Sequence, residues 1–338
     1  MQTILVTGGC GFIGAHTIVD LLENGFNVIS IDNLSRASDA SLLGIEKITG
    51  KKIANYTIDL TDKAATESVF IANPDIVGII HFAAYKAVGE SVEKPLDYYE
   101  NNISSLVHLL QMAVKYNAPH FIFSSSCTVY GNPEMIPVTE NTPLQTAASP
   151  YGATKQMGET IVKDTALAHP LSTILLRYFN PVGAHPSIAI GELPIGRPQN
   201  LVPAITQTAI GKLPKMQVHG NDYDTRDGSC IRDYIHVCDI AHAHTLAIQY
   251  SMKNNQPNSC EVFNLGTGNG ITVLEAIQAF EKVSGVQLNY EIGPRRAGDI
   301  VSIYANNDHA VKQLGWHCKY DLEAMMRTAW EWEQSLAH

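Results

Sequence analysis

Ser149-Pro150-Tyr151-Gly152-Ala153-Thr154-Lys155 holds the side chains most able to do chemistry in this sequence. Tyr151 and Lys155 are four residues apart, so on a helix they share one face, one turn above the other. A free phenol has a pKa of about 10 and is a poor base at neutral pH. A lysine ammonium one turn away favours the phenolate, and a cationic ligand overhead would favour it further. The pair then supplies a general base suited to taking a proton from an alcohol. By itself the spacing also fits a helix with a buried tyrosine and a surface lysine. The elements around it must decide.

The first of those elements is a phosphate cradle. Thr3 to Thr7 is a short apolar run that reads as a strand and ends at Gly8-Gly9-Cys10-Gly11-Phe12-Ile13-Gly14. Glycines 8, 11 and 14 open a helical pattern through Ala15, Ile18, Leu21 and Leu22. Strand, glycine turn and helix N-terminus offer a pyrophosphate little side-chain bulk, free backbone N–H groups and a favourable dipole. A second strand, Asn27 to Ile31, ends in Asp32-Asn33. Asp32 falls 18 residues after Gly14, where an acid would hydrogen-bond the adenosine ribose hydroxyls. It is equally suited to capping the following turn. An acid there repels a 2′-phosphate, so NAD is favoured over NADP, with Arg36 nearby counting the other way.

Strand and helix patterns then alternate. Asn55 to Leu60 reads as a strand ending at Asp59-Leu60, Lys63 to Ala72 as a helix, and Ile76 to Phe82 as a buried strand. That strand ends in Ala83-Ala84-Tyr85-Lys86, small residues followed by a cation, which let a cofactor approach the backbone. Leu96 to Tyr116 is a long helix with two apolar stripes, so burial is expected on both sides. Phe121-Ile122-Phe123 runs into Ser124-Ser125-Ser126, either a polar loop or part of a ligand site at the carboxyl end of the sheet. Ser172 to Phe179 is a further strand. The rhythm indicates an α/β chain with a Rossmann-like, doubly wound parallel sheet. It breaks after Asn180 into a proline-rich stretch (Pro181, Pro186, Pro194, Pro198). Beyond it come a helix over Val202 to Ile210, strands over Lys215 to His219 and Ile231 to Val237, and a helix over Asp239 to Tyr250. A strand over Val262 to Leu265 returns to the first unit. The expected division is an NAD-binding domain, 1–180 plus about 237–265, and a smaller mixed α/β substrate domain, 181–236 and 266–338.

With 338 residues, the chain is long enough for two domains. A net charge of −10 argues against nucleic acid or an anionic membrane as partner. An anionic substrate therefore needs locally placed arginines. The first residues lack the basic segment of a secretory leader, and the apolar run from Ile76 to Ala84 is too short to span a bilayer. Six cysteines without C-x-x-C pairing read as reduced thiols of a cytoplasmic protein. Cys230, His236 and Cys238 lack a fourth ligand at finger-like spacing, so no metal is expected.

The glycine loop, Asp32, the serine run, Tyr151-x-x-x-Lys155 and Asn180 together resemble the extended short-chain dehydrogenase/reductase family, and within it the UDP-galactose 4-epimerase branch. The likeness runs through Arg177-Tyr178-Phe179-Asn180-Pro181-Val182-Gly183-Ala184-His185-Pro186, then Gly220-Asn221-Asp222-Tyr223. Arg232-Asp233-Tyr234-Ile235-His236 and Arg295-Arg296-Ala297-Gly298-Asp299 complete it, so it covers nearly the whole chain. The resemblance implies bound NAD, held by Gly8, Gly11, Phe12, Ile13, Gly14, Asp32, Asn33, Asp59, Leu60, Phe82, Ala83, Lys86, Asn101 and Phe179, with Tyr151 and Lys155. It implies that Ser126 hydrogen-bonds the reacting sugar hydroxyl beside Tyr151. Asn180, Asn200, Arg232, Arg296 and Asp299 would hold the UDP of a UDP-hexose, and the helices at 96–116 and 150–168 would pair in a homodimer. Tyr151 would take the 4-hydroxyl proton while the C4 hydride passes to NAD; the 4-keto sugar would turn, and the hydride return to its other face.

The residues themselves agree with part of this. Two arginines suit a diphosphate, because guanidinium forks match phosphate oxygens. A sister 4,6-dehydratase would, by resemblance, carry an Asp-Glu pair after its serine or threonine, whereas this chain has Cys127-Thr128. The alternatives are another NAD-dependent UDP-sugar epimerase or decarboxylase, or a non-catalytic NAD sensor. Two departures stand out. Ile188 replaces a glycine of the pattern, which leaves the path of its loop open. Ile303 stands where the branch has a tyrosine or a small residue near the sugar, so weaker activity on N-acetylated UDP-hexosamines is expected. Otherwise Ile303 packs into the core and Tyr304 faces the pocket, since neighbours on an extended chain point opposite ways.

Overall fold

Side chains alternate along β1 (Thr3–Thr7): Ile4 and Val6 bury on one face, Leu5 on the other, and all three are fully buried. A strand covered on both faces belongs to a parallel sheet between helical layers. The computed structural model describes residues 2–196, 198–296 and 299–337; Ala297 and Gly298 of the Arg295–Asp299 motif lie outside them. After β1 come α1 (Phe12–Glu23), β2 (Asn27–Ile31), α2 (Ala40–Thr49), β3 (Ala54–Tyr56), α3 (Lys63–Ala72) and β4 (Ile76–His81). Next are α4 (Val88–Glu93), α5 (Pro95–Lys115), β5 (His120–Ser124), α6 (Pro150–Ala168), β6 (Ser172–Tyr178) and β7 (Asn180–Val182). The chain continues through α7 (Leu201–Ala209), β8 (Met216–His219), β9 (Ile231–Arg232), β10 (Tyr234–His236), α8 (Val237–Asn254) and β11 (Ser259–Leu265). It ends with β12 (Ile271–Thr272), α9 (Val273–Ser284), β13 (Tyr290–Gly293), α10 (Asp308–Leu314) and α11 (Leu322–Ser335).

Seven strands form one parallel sheet in the order β11-β6-β5-β4-β1-β2-β3. This is the expected doubly wound architecture. On one face α1 and α8 pack together over Ile4, Val6, Ile122 and Ile174, with Trp316 joining from the end of the chain. On the other, Val69 of α3, Leu106 and Leu110 of α5 and Val162 of α6 cover Leu5, Ile79 and Phe121. A third core, around Ile205, Met216, Phe280 and Met326, joins α7, α9 and α11 with the parallel pair β8–β13.

Several local expectations need correction. β3 stops at Tyr56 because the following residues turn: Asp59 Oδ1 accepts the Thr61 N–H at 2.8 Å, and Asp62 caps α3 through the N–H groups of Ala64 and Ala65. Helices α2 and α4 add to the expected elements: α2 packs Leu42, Ile45 and Ile48 against the core, and α4 is short and buries only Ser91. The stretch 231–237 is not one strand. β9 pairs antiparallel with β12, while β10 pairs parallel with β7. The break falls at Asp233, whose fully buried carboxylate accepts N–H bonds from Thr267, Gly268 and Ala305. The loop at Ile188 keeps a left-handed path, with φ 58°, despite its β-branched side chain. In α5, Tyr98, Leu109 and Met112 are buried within the chain, while Tyr99, Ile103 and Val107 are only half-buried.

Candidate active site

The cradle follows from backbone geometry. Gly8 adopts φ +73°, and a Cβ there would sit 2.8 Å from the Ala83 nitrogen, so only glycine lets the loop press against the end of β4. A Cβ on Gly14 would lie 2.2 Å from the Gly8 carbonyl oxygen, so α1 starts flush on the loop. Gly11 is the N-cap of α1, which has no side-chain cap and no acid in its first turn. The positive end of that helix therefore faces the cleft with N–H groups of the Phe12–Ile13 turn available to an anion. Phe82 and Ala83 both donate to the Thr7 carbonyl, at 3.0 and 3.1 Å, which pins the exit of β4 beside the exit of β1.

The polar residues expected around the adenosine lie at the same edge. Asp32 follows β2, with Oδ2 accepting from Cys10 N at 3.0 Å and Oδ1 from Leu34 N at 2.9 Å. Burial pushes its carboxyl up, and those backbone N–H groups pull it back. Asn33 donates to Asp59 at 2.9 Å, and His108 holds the Leu60 carbonyl at 2.9 Å. Asn101 donates to Asn102, which clamps both backbone groups of Tyr85 and meets Thr154 of α6. These residues fit a dinucleotide: a diphosphate against α1 and ribose hydroxyls at Asp32.

Ser149 caps α6 through Gly152 N at 3.2 Å, and Pro150 occupies its first turn, both strong start signals. The helix thereby carries Tyr151 and Lys155 inward, exposed only 9% and 5%. Burial and the neighbouring Tyr178 push the Tyr151 phenol far above its usual value, while Ser126 beside it favours the phenolate. Lys155 lies one turn along the helix from Tyr151, as the spacing requires, and is held by the strand below. Lys155 Nζ donates to the Ser124 carbonyl at 2.7 Å and lies 5.9 Å from the centroid of the Tyr151 ring. Burial brings the ammonium down to about 8. Behind it, Arg177 and Glu159 form a buried ion pair at 2.6 Å, and Ser125 also bonds Glu159. Arg177, a motif residue in the sequence, is thus part of the scaffold.

Arg232, Arg296 and Asp299 converge: Asp299 Oδ1 lies 2.7 Å from Arg296 and 3.8 Å from Arg232. Arg232 also donates to the Ile300 carbonyl at 2.6 Å, and its charge acts on the Cys127 thiol, which neighbours Ser126 and Tyr151. Asn180 starts β7 and binds Asp233 through its backbone. Asn200 is not tied to the arginines; it donates to Glu192 at 2.9 Å, and Lys86 reaches the same carboxylate at 3.3 Å. Glu192 and Glu90 escaped the sequence reading, because a single acid outside any motif carries no periodic signal. Phe179 packs with Tyr130, Val138 and Ile303. Ile303 is only 3% exposed, and the Tyr304 ring lies over Gly270.

A doubly wound parallel sheet with a glycine cradle at β1 and a buried Ser–Tyr–Lys group at the exit of β5 defines a dinucleotide-binding α/β protein of the short-chain dehydrogenase/reductase type. The GDP-mannose 4,6 dehydratase family model matches residues 5–329, and the chain belongs to that family. Its similar proteins are epimerases. A UDP-glucose 4-epimerase of Haemophilus influenzae is 47% identical over 335 residues, which cover 99% of this chain and 98% of that protein. The structure of UDP-glucose 4-epimerase from Bifidobacterium longum in complex with NAD+ and UDP superposes with a TM-score of 0.94 at 46% identity, covering 99% of this chain and 98% of that one. The enzyme from Stenotrophomonas maltophila with bound NAD and formylated UDP-arabinopyranose gives 0.96 at 42% identity, covering 100% and 99%.

Proposed function

We propose that this chain interconverts UDP-galactose and UDP-glucose by epimerisation at C4, with NAD as a tightly held cofactor. The epimerase relatives, matched over essentially their whole length, support the activity. The observation that carries the chemistry is a buried Tyr151 beside Ser126, with no carboxyl following that serine. Cys127 occupies the place instead, its thiol pushed up to about 12 by burial, so it neither gives nor takes protons at neutral pH. One proton acceptor beside one hydroxyl suffices for epimerisation and is too little for dehydration.

NAD, when bound, would supply a reversible acceptor for the C4 hydride, so that either face of the 4-keto sugar can be reduced. Ser126 orients the sugar hydroxyl, and Tyr151 takes its proton and gives it back. Lys155 ties α6 to β5 and keeps a positive charge beneath the phenol. Arg232 and Arg296, oriented by Asp299, hold the diphosphate, with Asn180 and Asn200 along the nucleotide. Gly8, Gly11, Phe12, Ile13 and Gly14 take the cofactor's diphosphate, Asp32 and Asn33 its ribose, and Asp59, Leu60, Phe82, Ala83, Lys86, Asn101 and Phe179 line the rest. The choice of NAD over NADP has a local reason. Arg36, the cation best placed for a 2′-phosphate, is bound at both ends of its guanidinium by Glu90.

The substrate unit, 181–236 with 266–338, is assigned to the nucleotide sugar and the remainder to NAD. A homodimer through α5 and α6 would cover the half-buried Tyr99, Ile103 and Val107 and the exposed Leu96 and Met157; light scattering at micromolar concentration should find two chains. Six free cysteines suit a cytoplasmic location. The central test is to incubate purified protein with UDP-galactose and follow UDP-glucose with no NAD added. Absence of product from protein that carries NAD would overturn the assignment.

A further inference from the structure

We infer that the Arg36–Glu90 ion pair is a strap over the adenosine end of the bound dinucleotide, one that must open for NAD to enter or leave. This rests on the NAD reading above. The argument begins with the strand order: β1 lies between β4 and β2, and all three are parallel. The loops that leave their carboxyl ends therefore emerge on the same side, with the glycine cradle of β1 in the middle. Arg36 belongs to the loop after β2, and Glu90 lies in α4, beyond the loop that leaves β4. A direct bond between them has to span the exit of β1, where the glycine cradle would hold the cofactor's diphosphate, with the ribose beside it at Asp32.

The bridge is specific. Both guanidinium nitrogens engage both carboxylate oxygens at 2.9 Å, the fork-to-fork geometry of a strong pair. The guanidinium also lies over the Tyr85 ring, 4.6 Å from its centroid. The two ends differ in firmness. Glu90 accepts from the buried Tyr98 hydroxyl at 3.0 Å, and Asn102 clamps Tyr85, so the far side is fastened to α5. Arg36 is half exposed, on a surface loop. The movable arm is thus the Arg36 side, and Glu90 and Tyr85 form its catch. Arg36 and Glu90 are positioning residues: they act on the cofactor's exchange, not on the reacting atoms.

A strap and a simple cofactor contact leave different kinetic traces. Losing a contact speeds release alone, whereas losing a strap speeds both release and entry and leaves the dissociation constant nearly unchanged. The test uses protein purified with its NAD. Release is followed by mixing with excess alcohol dehydrogenase and ethanol, which reduce each NAD set free. Entry is followed by stopped-flow tryptophan fluorescence after NAD is added to the stripped protein. For Arg36→Met and Glu90→Gln, both rates should rise about 5- to 10-fold, the worth of one exposed bidentate pair. In the unsubstituted protein, release should quicken several-fold between about 20 mM and about 500 mM salt, whereas in the variants it should be flat. That salt series needs no substitution, so a poorly folding variant does not rescue the idea. Unchanged release in both variants overturns the strap, as does faster release with unchanged entry. Wild-type protein that neither carries nor binds NAD overturns the cofactor reading and the strap with it. Protein that binds NAD but loses it equally fast with and without the pair overturns the strap alone.

Discussion

Acid should unfold this protein at or above the pH at which its carboxylates titrate, because it buries neutral histidines. His16, His81 and His236 are held down to about 3 and His244 to about 4, each chiefly by burial. Their partners agree with the neutral ring. His16 and His244 donate from Nδ1 to the carbonyls one turn earlier, Phe12 and Ile240, leaving Nε2 buried without a hydrogen-bond partner. His236 accepts the Cys238 N–H at Nδ1 and donates from Nε2 to Thr328. In the unfolded chain the same rings titrate near 6.5. Below that value the unfolded state binds protons that the folded state refuses, so stability falls as pH falls, from 6.5 down to 3 or 4. At pH 5 each ring costs about 2 kcal/mol, and the four together fall at no more than about 5 kcal/mol per pH unit. Asp32, Asp233 and Asp239, raised by burial, act in the opposite sense and soften the fall above 3.8, the usual aspartate value. Against a total stability of about 5–15 kcal/mol, the midpoint should lie between about pH 4 and about pH 6. Circular dichroism and tryptophan fluorescence, read on titration down and back, would measure it. The variant His244→Gln, referred to its own stability at neutral pH, should lose about a quarter of the slope. A chain that stays native below about pH 4 would refute the reasoning, because the rings would then have to be charged in the folded state.

Four substitutions test the site and its surroundings. Tyr151→Phe should retain fold and bound NAD while kcat falls by about 10²-fold or more; Ser126→Ala on top of it should add little, because the serine acts on the same hydroxyl, and full additivity would separate the two roles. Ile303→Tyr should overpack the cluster of Tyr130, Val138 and Phe179, lower stability by about 1–3 kcal/mol, and slow UDP-galactose and UDP-N-acetylgalactosamine alike; selective loss of the N-acetylated substrate would show that the residue gates the sugar after all. Ile188→Asn should stabilise by about 0.5–1 kcal/mol in chemical denaturation, since asparagine tolerates the left-handed φ of 58° at which a β-branched residue is strained.

What the sequence determined by itself was local and periodic. The glycine spacing set a turn that only small residues can make against β4. Ser149-Pro150 set where α6 begins, and alternation with strand-length apolar runs set a parallel sheet. Tyr151 and Lys155 were placed on one helix face by a four-residue interval that holds in any context. The contacts of those side chains were decided only by the tertiary structure. Lys155 bonds Ser124 rather than the phenol, because β5 passes beneath α6 at that point. Ile303 is buried and Tyr304 turned onto Gly270, because the chain there runs beside Val138 and β9. Asp233 breaks a run that reads as one strand, since its acceptors are filled by N–H groups far along the chain. Glu90 and Glu192 acquire meaning only through Arg36 and Lys86, partners distant in sequence. Helix and strand periods are properties of neighbouring residues and can be read along the chain. A buried charge chooses its partner by which strands the fold brings together, and that order is fixed only when the sheet has assembled.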